Sequence, residues 1–200
     1  MGGHEHFAYA LTPLWRQAFW VSYFAWIAIE LAIWSRDVVR VKGKRNDRFS
    51  MLAIGVSIGV GNSLAFNAPR IVHAWIQAPP QLLAGLGIAL IWIGIGLRLW
   101  AVRTLGRFFR VTVTLQDDHR LVESGPYAKL RNPSYTGAMI TLAGVGIAMG
   151  HWLSLAAMIL FPIIGFAWRI RVEEASLAGR FGADYQVYRS RRWALLPPIW

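Results

Sequence analysis

The chain has 200 residues, 56% of them hydrophobic, with 11 Trp, no Cys and a formal charge of +11. A mean hydropathy of +0.39 is too apolar for a soluble domain of this size and marks a membrane protein. Without Cys, disulfides, thiolate metal sites and cysteine nucleophiles are excluded, and basic residues interleaved with apolar spans argue against nucleic acid as a partner.

The opening MGGHEHF lacks the character of a signal peptide, so the mature chain is expected to start at Met1. A helix needs about 20 apolar residues to cross roughly 30 Å of hydrocarbon. Residues 18–34, 50–68 and 82–102 meet that length. The next stretch, 135–166, is too long for one crossing and is interrupted at Gly150, His151 and Trp152, which predicts a tight hairpin of two short helices. Such limbs must tilt, or end against protein instead of lipid. The fold class is therefore an all-α integral membrane protein of about five transmembrane helices.

Charge tests this layout, because Lys and Arg gather on the cytoplasmic side. The five-span arrangement puts 19 of the 21 basic residues on one face, leaving Arg16 and Arg70 opposite. The N-terminus is then outside and the C-terminus cytoplasmic. Glycine pairs at helical spacing, Gly55 with Gly59 and Gly146 with Gly150, are expected to let helices of this chain approach closely. The run GVGIAMG from Gly144 has the wrong spacing for a dinucleotide fingerprint and follows no strand.

From Thr104 onward polar groups accumulate. A loop of about thirty residues joins the third and fourth spans, and loops of that length tend to be functional. It combines a β-type run at 109–115 with Gly125 and Pro126, and places Pro133 in the first turn of the next helix, where a missing amide hydrogen costs nothing. The tail reads as an amphipathic cytoplasmic helix or helix pair carrying Glu173 and Glu174. These carboxylates lie about 100° apart on a helix. Glu173 is within reach of Arg169 and Glu174 within reach of Arg171. Surface ion pairs of that kind are worth about 0.5 kcal/mol each. Ionisable groups beside a membrane span are costly unless paired or functional. Glu30, near the inner end of the first span, is expected to pair with Arg36. Arg107 and Arg110 beside Phe108 and Phe109 suit an interfacial anchor. His119 alone reads as a solvated loop histidine. His4 and His6 sit at the opposite face, so no metal site is expected.

Four elements in order, GRFF at 106–109, HRLVESGPY at 119–127, RNPSY at 131–135 and EE..L...FG..Y..Y at 173–188, resemble the isoprenylcysteine carboxyl methyltransferases and related membrane methyltransferases, including phospholipid N-methyltransferases. The resemblance covers the C-terminal half. It implies two parts: 1–102, three membrane helices, and 103–200, a catalytic part whose cytoplasmic loop and C-terminal helical segment form the cofactor site. It implies S-adenosylmethionine as cofactor, with His119, Leu121, Val122, Gly125 and Tyr127 lining its pocket and Arg131, Asn132, Pro133 and Tyr135 shaping the floor. Glu173 and Glu174 would meet the cofactor's polar parts, and Arg131, Glu173 and Glu174 are the candidate catalytic residues. Asn132 departs from the family, which has His there.

Methyl transfer from a sulfonium is an in-line displacement that mainly requires alignment. A carboxylate acceptor is already ionised at neutral pH, with an ordinary pKa of about 4, and needs an Arg to orient it. A phospholipid amine needs a base first, for which His119 and the glutamates are the candidates. The expected function is methylation of a lipophilic small molecule or lipid-modified substrate, most strongly a carboxylate, in a prokaryotic inner membrane with the site facing the cytoplasm. A phospholipid amine or thiol methyltransferase, a reductase of the same fold and a non-catalytic transporter or scaffold are the alternatives. Transporters commonly show broken helices and internal repeats, neither of which is evident.

Overall fold

A computed structural model describes residues 7–40, 48–106 and 121–196. Among these, six helices account for most of the chain: α1 (Pro13–Arg40), α2 (Arg48–Ile71), α3 (Pro80–Leu105), α4 (Pro133–Met149), α5 (Trp152–Phe181) and α6 (Ala183–Ser190). Short 3-10 turns occupy Ala8–Ala10 and Gly125–Ala128. Four segments, Pro13–Arg36, Phe49–Ile71, Pro80–Leu105 and Trp152–Phe181, are long and apolar enough to cross a membrane. The chain is thus the helical, multi-pass membrane protein expected. The run at 109–115, the Arg107–Arg110 anchor and His119 lie outside the described residues.

The hairpin forms where the sequence breaks. Gly150 ends α4 at φ 69°, a left-handed conformation that L side chains rarely adopt. His151 then caps α5: its Nδ1 accepts from the Ser154 amide at 3.4 Å, while Nε2 lies 2.9 Å from the Val72 carbonyl and 3.2 Å from the Ala74 amide nitrogen. The two limbs are unequal. α4 has 17 residues, of which 13 are buried, and at about 1.5 Å per residue it is short for a span. Its surroundings are protein. α5, in contrast, runs unbroken for 30 residues. This corrects the expected end near residue 166 and separate tail helix. Glu173 pairs with Arg169 one turn earlier on the same helix, so the charges that suggest an exit from the membrane help to continue the helix.

Close approach between backbones sets the packing. A Cβ on Gly87 would meet the Ala148 amide nitrogen at 2.5 Å, and one on Gly144 the Gly87 carbonyl at 2.6 Å. Seven residues along, Gly94 lies against Thr141 and the Gly137 carbonyl. Hence α3 and α4 run antiparallel in direct backbone contact. On α2, Ser57, Gly61 and Ala65 face α5 in antiparallel register: Ser57 against Gly165, Gly61 against the Ala157 carbonyl, and the Ala65 carbonyl accepting from Ser154 Oγ at 2.8 Å. Gly146 packs on Leu155 as expected. Among the described residues nothing packs on Gly55 or Gly59, since nothing lies within 4 Å of the Cβ either would carry. They occupy the face of α2 turned away from α5.

The packing order is α1 on α3, α3 on α4, α4 on α5 and α5 on α2. α1 touches α2 through side chains, with Trp20 stacked on Phe66 at 5.7 Å and Tyr23 Oη donating to Asn62 at 2.9 Å. Phe7, Trp75 and His151 mark one end of the bundle, joined by ring contacts at 6.0 and 4.9 Å. The other end carries the charged cluster.

Candidate active site

Three chain segments converge at that end: the 3-10 turn with the start of α4, the second half of α5, and α6 with the residues after it. The 3-10 turn opens at Gly125, whose φ of 57° and contact with Thr104 Oγ1 seat it against the end of α3. This buries Pro126 and Tyr127. Pro133 starts α4 as expected, with Asn132 as N-cap. Residues 192–195 then run alongside: Arg131 N donates to the Trp193 carbonyl at 2.8 Å and Trp193 N to the Lys129 carbonyl at 3.1 Å. The Asn132 side chain donates to the Ala194 carbonyl at 3.2 Å, and Thr136 Oγ1 to that of Leu195 at 2.8 Å. Asn132, where the resemblance leads one to expect His, thus ties down the C-terminal segment.

Glu173 and Glu174 face different partners, as their helical offset requires. Glu173 Oε1 accepts from Tyr135 Oη at 2.7 Å and from Arg169 Nε at 2.7 Å. Arg169 is fully buried, and its Nη1 reaches Ser50 Oγ of α2 at 2.8 Å. Glu174 does not use Arg171. It pairs with Arg131 at 3.1 Å and, more distantly, with Arg189 of α6 at 3.8 Å. The Arg131–Glu174 contact joins Nε to Oε1 as a buried ion pair outside strict hydrogen-bond geometry. Arg131 is further held by its Nη1 bond to the Arg189 carbonyl at 3.2 Å.

Phenols fill the space between these pairs. Burial raises the Tyr127 phenol far above its ordinary value, the Glu173 charge and Tyr188 add to this, and Arg98 opposes it. Burial likewise raises Tyr185, with Glu174 adding and Arg131 opposing. Tyr188 is pushed up to about 12 by burial, against the pull of Arg192. Arg192 lies 4.2 Å over the Tyr188 ring, donates to the Tyr127 carbonyl at 2.9 Å and pairs with Glu123 at 2.6 Å.

The structure therefore brings together Tyr127, Arg131, Asn132, Pro133, Tyr135, Glu173 and Glu174. Leu121 and Val122 are half-buried on the segment leading into the turn. Sequence reasoning attached no role to Tyr185 and Tyr188, although both belong to the tail motif. It gave no sign of Arg192 or the 193–195 segment, whose contacts are made largely through backbone. Glu30 does not take the expected partner, Arg36. It pairs instead with Arg98 of α3, whose Nη2 reaches Glu30 Oε2 at 2.6 Å, while Arg36 is exposed. Among the described residues no His, Cys, Asp and Glu group could hold a metal.

A helical membrane protein with paired carboxylates, arginines and phenols at one end of its bundle is the class so defined. A sequence model described as "Phospholipid methyltransferase" matches residues 82–184, from the start of α3 into α6, and the chain belongs to that family. It is 33% identical over 116 residues to a probable protein-S-isoprenylcysteine O-methyltransferase of Oryza sativa subsp. indica, covering 57% of this chain and 61% of that one. With the protein-S-isoprenylcysteine O-methyltransferase of Saccharomyces cerevisiae it shares 34% identity over 121 residues, 60% of this chain and 51% of the other. The chain thus spans about half to three fifths of the length of these relatives. Its fold resembles a eukaryotic intramembrane Ras methyltransferase, an isoprenylcysteine carboxyl methyltransferase, with a TM-score of 0.59 at 24% identity, covering 91% of this chain and 68% of that one.

Proposed function

We propose that the protein is an integral-membrane methyltransferase that uses S-adenosylmethionine to methylate a lipophilic carboxylate. The single observation that carries this is the Arg131–Glu174 pair. It holds a guanidinium and a carboxylate side by side at 3.1 Å, both mostly buried, Glu174 suited to the α-ammonium of the cofactor's amino-acid end and Arg131 to an acceptor carboxylate. The donor set fits in other respects too: carboxylates suit the ammonium and ribose hydroxyls, and the phenol rings of Tyr127 and Tyr185 suit a cationic sulfonium and a flat base. When bound, S-adenosylmethionine supplies an electrophilic methyl group on a sulfonium.

The chain's residues then have to orient and to exclude water. Arg131, braced by Glu174 and the Arg189 carbonyl, presents a planar fork to a carboxylate. A carboxylate held in that fork would take the methyl carbon as the carbon–sulfur bond gives up its electron pair to sulfur. The products are a methyl ester and S-adenosylhomocysteine. No proton moves. This agrees with the state of the glutamates, since Glu173 holds Arg169 and Tyr135 and Glu174 holds Arg131, so neither is a poised base.

The family description favours a second acceptor, a phospholipid amine, which would require one of those carboxylates to be released. In this reading residues 1–102 are the scaffold and 103–200 the catalytic part, with α3 as the shared wall. The membrane is a prokaryotic inner membrane with the site on the cytoplasmic side, the side being supported by the charge division, whereas the relatives described above are eukaryotic. The test is calorimetry with S-adenosylmethionine and S-adenosylhomocysteine, followed by labelled methyl transfer to a prenylated cysteine with a free carboxylate, a prenyl thiol and phosphatidylethanolamine. Saturable cofactor binding and transfer to the carboxylate alone are expected. Transfer to the amine selects the second acceptor, and no cofactor binding returns the protein to a non-catalytic role.

A further inference from the structure

An ion pair links the first and third helices beside the site. Arg98 lies where α3 and α4 are in backbone contact, since a Cβ on Gly137 would meet the Arg98 amide nitrogen at 2.7 Å. From there its guanidinium serves two other helices. Nη1 donates to the Ser134 carbonyl at 3.2 Å and to Ser134 Oγ at 2.8 Å, in the first turn of α4. Nη2 donates to Glu30 Oε2 of α1 at 2.6 Å, and Arg98 Nε also pairs with Glu30 Oε1. Both side chains are mostly buried, at 14% exposure for Arg98 and 28% for Glu30.

This placement opposes a simple electrostatic preference. A cation beside the first turn of a helix meets the positive end of its dipole. Arg131, just before the N-cap, adds a second cation there. Glu30 supplies the counter-charge that lets Arg98 remain, as Glu174 does for Arg131. Ser134 directly precedes Tyr135 and follows Arg131 by three residues, so whatever fixes Ser134 fixes both. The charge of Arg98 also acts on Tyr127.

We propose that Glu30 and Arg98 are positioning residues that hold the first turn of α4, and with it Arg131 and Tyr135, in register against Glu173 and Glu174 of α5. The catalytic consequence rests on the methyltransferase reading; the structural one does not. Lys at position 98 would keep the charge, but a single ammonium on a flexible stem cannot reproduce a fork shared between Ser134 and Glu30.

The test combines hydrogen exchange with kinetics on purified Arg98→Lys, Glu30→Gln and Ser134→Ala. The last removes one acceptor and no charge, and so remains informative if a charge variant misfolds. Exchange is expected to rise about tenfold, as for a local opening, in peptides covering 129–136 and in the bridged segment 193–195. The 152–166 part of α5 stays protected. The kcat falls about tenfold in Arg98→Lys, equivalent to about 1.4 kcal/mol, while the affinity for S-adenosylhomocysteine changes little. Uniform loss of protection in all helices would make the pair a plain bundle brace and overturn the proposal. So would unchanged exchange at 129–136, or a local rise with wild-type kcat. If the wild type binds no S-adenosylmethionine, the methyltransferase reading falls, and the exchange pattern still decides whether the pair positions α4.

Discussion

Adjacent glutamates on one helix end up with separate tasks because 100° of rotation points them at different helices. Glu173 looks inward, to Tyr135 of α4 and the fully buried Arg169. Glu174 looks toward α6 and Arg131. Removing a charge from the second pair leaves Arg131 in place but takes away the acceptor assigned to the cofactor. Glu174→Gln is therefore expected to weaken S-adenosylmethionine binding by about ten- to a hundredfold, the range of a charge-assisted hydrogen bond worth about 1.5–3 kcal/mol. Calorimetry on a protein with wild-type melting behaviour checks this, and unchanged affinity would make Glu174 a structural partner of Arg131. Asn132 shows what the residue scale hides from sequence. Its difference from the family reads as chemistry, whereas its Nδ2 bond to the Ala194 carbonyl is a strut. A strut of that kind needs a donor, which Asn supplies without ionising.

At the scale of helices, lengths and breaks were legible wherever one residue type has a single physical use. The hairpin break at Gly150 and His151 followed from the interruption of apolar residues. Pro133 marked the start of α4. The length of α5 was not legible, because a charge cluster after an apolar run looks the same whether the charges are solvated or paired inside. Glycine spacing was also ambiguous: Gly55 and Gly59 have the same separation as packing pairs elsewhere, yet only the partner helix decides which glycines are crossed. Substitution separates the two kinds. Gly94→Ala would drive a Cβ into the Gly137 carbonyl at 2.5 Å, forcing α3 from α4 at a cost of about 1–3 kcal/mol, as overpacking usually does. Gly55→Ala meets nothing within 4 Å and should leave the melting temperature of the detergent-solubilised protein unchanged or slightly raised. Equal effects of the two would mean that the α3–α4 contact is not close-packed.

For the molecule as a whole, the division of basic residues gives the bundle an expected orientation, and the fold provides exposed places to test it. His151 is useless for this, being fully buried, but Gln77 and Arg191 are exposed at opposite ends. With no native Cys, Gln77→Cys should react with an impermeant thiol reagent in intact cells, and Arg191→Cys only after permeabilisation. The reverse pattern would put the site on the outer side. Whatever the orientation, sequence could not show which helices are neighbours, because hydropathy says where a helix lies and not what it touches. α2 and α5 are partners across most of the chain, with Ser50 bonded to Arg169 over a separation of 119 residues. At a synthesis rate of about 5–20 residues per second, α2 waits roughly 6–24 s for its partner. Throughout that interval its Ser57, Gly61 and Ala65 side is without the surface it was shaped for. α2 is consequently the helix most dependent on the insertion machinery, and a ribosome that stalls before α5 emerges leaves a product for quality control to clear.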